Sequence, residues 1–230
     1  MLDLFCGRLG WSKAFLARGW NVIGFDLVPP DEQINNFRFY QIDVLELTAR
    51  MVRGMNFDFI CASSPCEQFS VHGMKHFHPN PPYPALGIKL FNHTRLICEA
   101  SGAPYVMENV RAAQQFVGKA MHHCGPFYLW GSGVPPIMPQ NIRKGINLGQ
   151  AKHVKGMTQE EKRAYRLKIP LLQTAGLGKL RDQETAKFAT IPPELANCVA
   201  DYAERLLEQT MSKQRVSGRY PVDTISGDAS

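Results

Sequence analysis

"LDLFCGRLGWSKAFLARGWNVIGFDL", residues 2–27, decides the fold class of this chain. The apolar run "LDLFC" reads as a short strand that meets the glycine-bearing "GRLGWS". "SKAFLARGW" then has the apolar spacing of a helix, and "NVIGFDL" is a second strand ending in the acidic Asp26. The same alternation continues. "FRFYQIDVLEL" carries a third strand toward Asp43, "LTARMVRG" is helical, and "FDFICASSP" is a fourth strand. Strands alternating with helices at this spacing predict an α/β fold with a parallel, doubly wound sheet, because parallel neighbours need a crossover helix. Ligands of such sheets sit at the carboxyl ends of the strands.

Beyond this core, "HGMKHFHPNPPYP" (72–84) is crowded with Pro, His and Asn and reads as a loop. "ALGIKLFNHTRLICEA" is a helix leading to the strand "APYVMENV", and "CGPFYLWGSGVPPIMPQN" predicts short strands and turns. Residues 150–187 are basic, with one helix expected in "TQEEKRAYRLK", where Thr158 and Glu161 suit a capping box. "IPPELANCVADYAERLLEQ" is the clearest helix, with Pro192 and Pro193 in its entry turn. From about Ser212 the composition predicts a disordered tail.

A chain of 230 residues with 44% hydrophobic content can bury a full core. Its net charge of +6 suits an anionic partner, nucleic acid first, although ordinary solubility charge explains it equally well. The opening "MLDLFCG" lacks the basic start and long apolar run of a signal peptide, and no segment approaches the roughly 18 apolar residues of a membrane span. The six cysteines are therefore expected as reduced thiols in a cytoplasmic setting.

Gly7 and Gly10 between a strand and a helix let backbone approach a ligand, though two glycines also fit a simple tight turn. Asp26 after the second strand is placed to accept hydrogen bonds from a ribose diol, and Asp43 after the third from an adenine amine. No Lys-Ser/Thr pair follows the glycines, which disfavours a triphosphate and favours a nucleoside cofactor. Downstream, "SSPCEQFS" sets Cys66 directly after Pro65 at a strand end, a setting that suits a nucleophile better than a core thiol.

Glycine loop, Pro-Cys and Glu-Asn-Val, in that order, resemble the DNA cytosine-5 methyltransferase family over residues 2 to about 135, and more loosely at the final helix. The resemblance implies the Rossmann-like fold of S-adenosylmethionine-dependent methyltransferases, a mainly parallel twisted sheet with helices on both faces. It also implies S-adenosyl-L-methionine as cofactor, DNA as partner, and a modification role of the restriction-modification or phage kind in a bacterial or phage-infected cell. Phe5 matches the aromatic that stacks on the cofactor's adenine. Cofactor contacts are expected from Asp3, Phe5, Cys6, Gly7, Gly10, Trp11, Asp26, Leu27, Asp43, Val44, Ser64 and Pro65. Cys66 matches the nucleophile, in a turn shaped by Pro65; Glu108 matches the carboxyl that holds the target base, with Asn109 orienting that carboxyl and the strand end. Gln68, Ser70, Lys75, His76 and Arg111 are expected at the nucleic acid. A zinc ion held by Cys66, His72, His76 and His78 would block the nucleophile, so no metal is expected.

The chain departs from the family pattern in three places. Glu67 stands where glutamine is usual, and "PQNIRKG" offers only Gln140 and Arg143 in place of Gln-x-Arg-x-Arg, with Arg143 carried over to the catalytic set. "KFATIPPELA" has Ala189 and Thr190 where Gly-Asn is usual. The reading divides the chain into a core at 1–135, a small variable region at 136–187, a returning helix at 188–211 and a tail at 212–230. So short a variable region predicts weak sequence selectivity or an additional specificity partner, with the chain otherwise a monomer. Lys152, Lys155, Lys162, Arg163 and Arg166 are then phosphate contacts or the solvated face of a helix. Three alternatives stay open: the same chemistry on transfer RNA, a non-catalytic DNA-binding partner, and transfer of a carboxylate-bearing group from a cofactor analogue aided by Lys187.

Overall fold

The computed structural model describes residues 1–69, 83–140, 142 and 190–216. Seven strands form one sheet in the order β3-β2-β1-β4-β5-β7-β6. They are β1 (Leu2–Leu4), β2 (Val22–Asp26), β3 (Phe37–Gln41), β4 (Ile60–Ser63), β5 (Tyr105–Asn109), β6 (His122–Cys124) and β7 (Phe127–Trp130). β1 to β5 are mutually parallel, and β7 runs antiparallel between β5 and β6. The strands expected at residues 2–6, 21–27, 37–47, 57–65 and 103–110 are all present, and the Gly/Pro-rich stretch supplies the β6–β7 hairpin.

Five helices flank the sheet among the described residues: α1 (Ser12–Leu16), α2 (Ala49–Gly54), α3 (Ala85–Ser101), α4 (Gln114–Val117) and α5 (Pro193–Val216). Their ends follow local chemistry. Thr48 caps α2 by accepting the Met51 N–H at 3.2 Å, and Gly102 ends α3 in the left-handed conformation, φ 80°. Pro193 opens α5, where its missing N–H costs nothing. α5 also runs past Ser212, where a tail was expected. No glycine or proline interrupts the sequence before Gly218, so nothing there stops a helix.

Side chains alternate across the strands and split the core in two. Cys61 and Val106 join Trp11, Phe15, Phe127 and the α5 residues Leu195 and Val199 on one face. Ile60, Ala62 and Met107 join Phe25, Val44, Phe69, Phe91 and Trp130 on the other. α5 is held against α1 by Arg18, which donates to Asn197 at 2.7 Å and to Asp201 at 3.1 Å. Just before α5, Ile191 lies so close to the glycine loop that a Cβ on Gly10 would stand 3.0 Å from the Ile191 backbone nitrogen. The last helix thus returns to the first loop.

No described helix is long and apolar enough to cross a membrane. The expected helix "TQEEKRAYRLK", the loop residues 70–82 and most of the variable region lie outside the described residues.

Candidate active site

The parallel register brings three sequence motifs to one edge of the sheet. The glycine loop leaves β1, the Pro65-Cys66 turn leaves β4, and Glu108 and Asn109 close β5.

The glycine loop is conformationally demanding. Phe5 (φ 62°), Gly7 (φ 38°) and Leu9 (φ 60°) all adopt positive φ within five residues. Glycine takes this region readily, but a side-chain-bearing residue there costs on the order of 1 kcal/mol or more. Strong anchoring holds the loop in place. Phe5 and Cys6 N–H groups donate to the Phe25 carbonyl at 2.9 and 3.3 Å, and Gly7 N–H donates to Asp26 Oδ2 at 2.9 Å. Asp26 Oδ1 accepts from Val28 N–H at 3.1 Å, so the carboxylate at the end of β2 braces loop and strand together.

The open side of this loop suits an adenosine. Leu27 and Val28 are 60% and 65% exposed, an apolar surface beside the Asp26 carboxylate. Asp43 at the end of β3 uses Oδ1 to cap Leu45 N–H at 2.9 Å and accepts no bond at Oδ2 among the described residues. Two acidic acceptors flanking apolar surface match a ribose diol and an exocyclic amine. A further cavity of about 300 Å³ between Arg8, Lys13, Glu32 and Thr190 extends from the loop toward the start of α5, with Lys13 and Glu32 ion-paired at 2.6 Å.

Several residues expected at the cofactor have buried side chains. Trp11, 2% exposed, packs in the core and donates Nε1–H to Ser63 Oγ at 2.9 Å. The Cys6 thiol lies against β2, where a Cβ on Gly24 would be 2.8 Å from it, and Val44 is a core residue. Asp3, 1% exposed, accepts from Ser12 N–H and Oγ–H at 3.2 and 2.5 Å. Trp11 and Cys6 turn inward within the loop, whose left-handed residues break the strand alternation, whereas Asp3 belongs to β1 and Val44 to the core on the other face.

Burial pushes the Asp3 carboxyl up to about 7, against the pull of Ser12 and helped by the nearby Asp26 charge. The native state therefore binds a proton that the unfolded chain releases above pH 4, and Asp3 lowers stability progressively as pH rises from about 4 to 7. Asp3→Asn removes this cost and keeps an acceptor for Ser12. We expect the stability of the variant relative to wild type to improve across that interval by up to roughly 4 kcal/mol, measured by urea unfolding at pH 5 and pH 8. A difference independent of pH would contradict the assignment.

At the end of β4 the chain turns into a short 3-10 helix, Cys66–Phe69, anchored by the buried Phe69 ring. Its approach to α3 depends on Gly87, where a Cβ would lie 2.7 Å from the Gln68 Cβ. Pro65, Cys66 and Gln68 are partly exposed. The other five thiols (Cys6, Cys61, Cys98, Cys124 and Cys198) are all pushed up by burial and are poorer nucleophiles for it.

Asn109 holds this turn. Fully buried, it donates Nδ2–H to the Ser64 carbonyl at 3.0 Å and to Ser64 Oγ at 3.1 Å, and accepts from Val110 N–H at 2.8 Å. The strand end is thus held by Asn109, as expected. Glu108 is 5% exposed, with Ser63 as its in-register neighbour on β4. Arg111, two residues past Asn109, is exposed on the same edge. Arg143, Ser70, Lys75, His76 and Lys187 lie outside the described residues, and those that are described include no cluster of metal-ligating side chains.

Two residues escaped the sequence reading. Ser63 sits in phase with Cys61 along β4, a period-2 signal that puts it on the Trp11 face. Gly87 interrupts a helical run, at a cost of about 1 kcal/mol relative to alanine, which marks a close approach.

A parallel five-strand array extended by an antiparallel hairpin, with helices on both faces and an acid-flanked glycine loop, defines the S-adenosylmethionine-dependent methyltransferase class. Residues 1–122, which carry the glycine loop, Pro65-Cys66 and Glu108-Asn109, match the C-5 cytosine-specific DNA methylase family, and the chain belongs to it. Membership makes it a DNA cytosine-5 methyltransferase and implies use of S-adenosylmethionine. No curated protein is similar enough to the chain to count as a match.

Proposed function

We propose that the chain methylates carbon 5 of cytosine in DNA through a covalent Cys66 adduct on a base flipped out of the duplex. The observation that carries this reading is the Asn109–Ser64 clamp, which fixes the strand end leading into Pro65-Cys66 to the strand end bearing Glu108.

Carbon 5 of cytosine is too weak a nucleophile to accept a methyl group unaided. The Cys66 thiolate adds to carbon 6, and the ring electrons shift to give an enamine nucleophilic at carbon 5. Glu108 holds N3 and the 4-amino group, offsetting the charge that builds on the ring as the C–S bond forms. Bound S-adenosylmethionine supplies the electrophilic methyl group. Once carbon 5 carries that group, a base removes its proton, the electron pair restores the C5–C6 double bond, and the Cys66 thiolate leaves. The residues fitted to the cofactor are Phe5 and Leu27 for adenine, Asp26 for the ribose, Asp43 for the exocyclic amine and the Gly7 backbone. Arg111, Gln68, Ser70, Lys75 and His76 are the residues assigned to nucleic-acid contact in this reading, with Arg143 assigned to the base.

The base must leave its stack to reach a thiol at a sheet edge. Because an exposed loop yields a base more readily than a duplex, transfer RNA is the competing substrate. Methyl incorporation into duplex DNA and transfer RNA, measured side by side by nucleoside mass spectrometry, separates them. The expected product is 5-methylcytosine in DNA; methylation confined to RNA would overturn the substrate reading, and a heavier cytosine adduct would overturn methyl as the group transferred.

A further inference from the structure

Three motifs meet at one serine. Ser63 ends β4, stands in register with Glu108, and precedes the Ser64 that Asn109 clamps and the Pro65-Cys66 turn that follows. Its hydroxyl accepts the Trp11 indole N–H at 2.9 Å. Trp11 itself is the residue after Gly10, at the junction of the glycine loop and α1. A buried indole N–H requires a partner, and this one finds it on β4, the neighbour of β1.

The hydrogen bonds of Phe5, Cys6, Gly7 and Ser12 run elsewhere. Phe5, Cys6 and Gly7 bond to β2, and Ser12 bonds to Asp3 on β1. Among these anchors, only Trp11 ties the loop to the strand that delivers the nucleophile. With Phe5 and Leu9 left-handed, the loop keeps its shape through its anchors, so a ligand that fixes the loop also fixes the Trp11 ring. That ring is buried in the same core as Phe15 and Val199, where close packing restricts its movement.

We propose that Trp11 is a positioning residue: its hydrogen bond to Ser63 transmits occupancy of the cofactor cleft to the Cys66 turn and to Glu108. The inference rests on the methyltransferase reading above. Cofactor binding then presets the nucleophile before any base arrives.

The test uses the full chain and S-adenosylhomocysteine, which occupies the cleft without reacting. The rate of Cys66 alkylation by iodoacetamide is followed by peptide mass spectrometry, with and without this probe, in wild type, Trp11→Phe, Ser63→Ala and the double variant. Phenylalanine keeps the buried ring and removes only the N–H; Ser63→Ala tests the same bond from the other side. In wild type the probe should change the Cys66 rate by about fivefold, the equilibrium worth of one such hydrogen bond. In each variant the ratio should fall toward one while probe affinity, by calorimetry, stays near wild type. The double variant should match the singles, as expected for one shared interaction. In turnover, kcat should fall with little change in the KM for cofactor. Variants that bind the probe and keep the wild-type ratio would overturn the inference and leave the methyltransferase reading intact. A wild-type chain that binds no S-adenosylhomocysteine would overturn both.

Discussion

Cys66→Ser should abolish methylation while leaving cofactor binding in place. The expected loss is on the order of 10³-fold or more, the range seen when a covalent nucleophile is removed. Serine is nearly isosteric, and Cys66 is partly exposed at the end of a turn held by Phe69 and the Asn109–Ser64 clamp, so the fold should not notice the change. What it loses is a soft, ionisable sulfur. A hydroxyl is almost never ionised near neutrality and adds poorly to carbon 6. The residues proposed to hold the cofactor, Phe5, Gly7, Asp26 and Asp43, lie at or just beyond the ends of β1, β2 and β3, so calorimetry with S-adenosylmethionine should give near wild-type affinity. Full activity in the serine variant would remove Cys66 from the mechanism.

The second large effect belongs to Glu108→Gln. Glutamine fills the same buried space at the end of β5 and keeps the strand register with Ser63 and Leu129. It cannot supply a carboxyl proton or balance charge at N3 as the ring accepts the thiolate. Methylation should slow by about 10²-fold or more, the usual contribution of a positioned acid or base. Cofactor affinity and thermal stability should change little. A variant that loses cofactor affinity in parallel with rate would place Glu108 at the cofactor instead of the base.

Much of this arrangement is legible in the sequence because it rests on short-range rules. A strand ending in glycines, an acid after each of the next two strands, and Pro-Cys after a fourth fix both the topology and the edge where chemistry occurs. The alternation of Ile60 and Ala62 against Cys61 already separates the two cores. The loop between β1 and α1 is less legible. Its three positive-φ residues break any period, so the inward turn of Trp11 and Cys6 cannot be deduced from their order. For Asn109 the sequence indicates a hold on the strand end, and the structure supplies the partner, Ser64. The far end of α5 was missed for another reason. Polar residues such as Ser212 and Lys213 resemble a tail in composition, but without glycine or proline they continue a helix already nucleated by packing.

The central claim is a covalent bond between Cys66 and carbon 6 of cytosine, and it can be observed directly. DNA containing 5-fluorocytosine blocks the final elimination, because fluorine cannot leave carbon 5 as the proton does. Incubation of the chain with this DNA and S-adenosylmethionine, followed by digestion and mass spectrometry, should yield a Cys66 peptide joined to a methylated fluorocytosine. The Cys66→Ser protein should yield none. An adduct on a different residue, or one formed equally by the serine variant, would contradict the account.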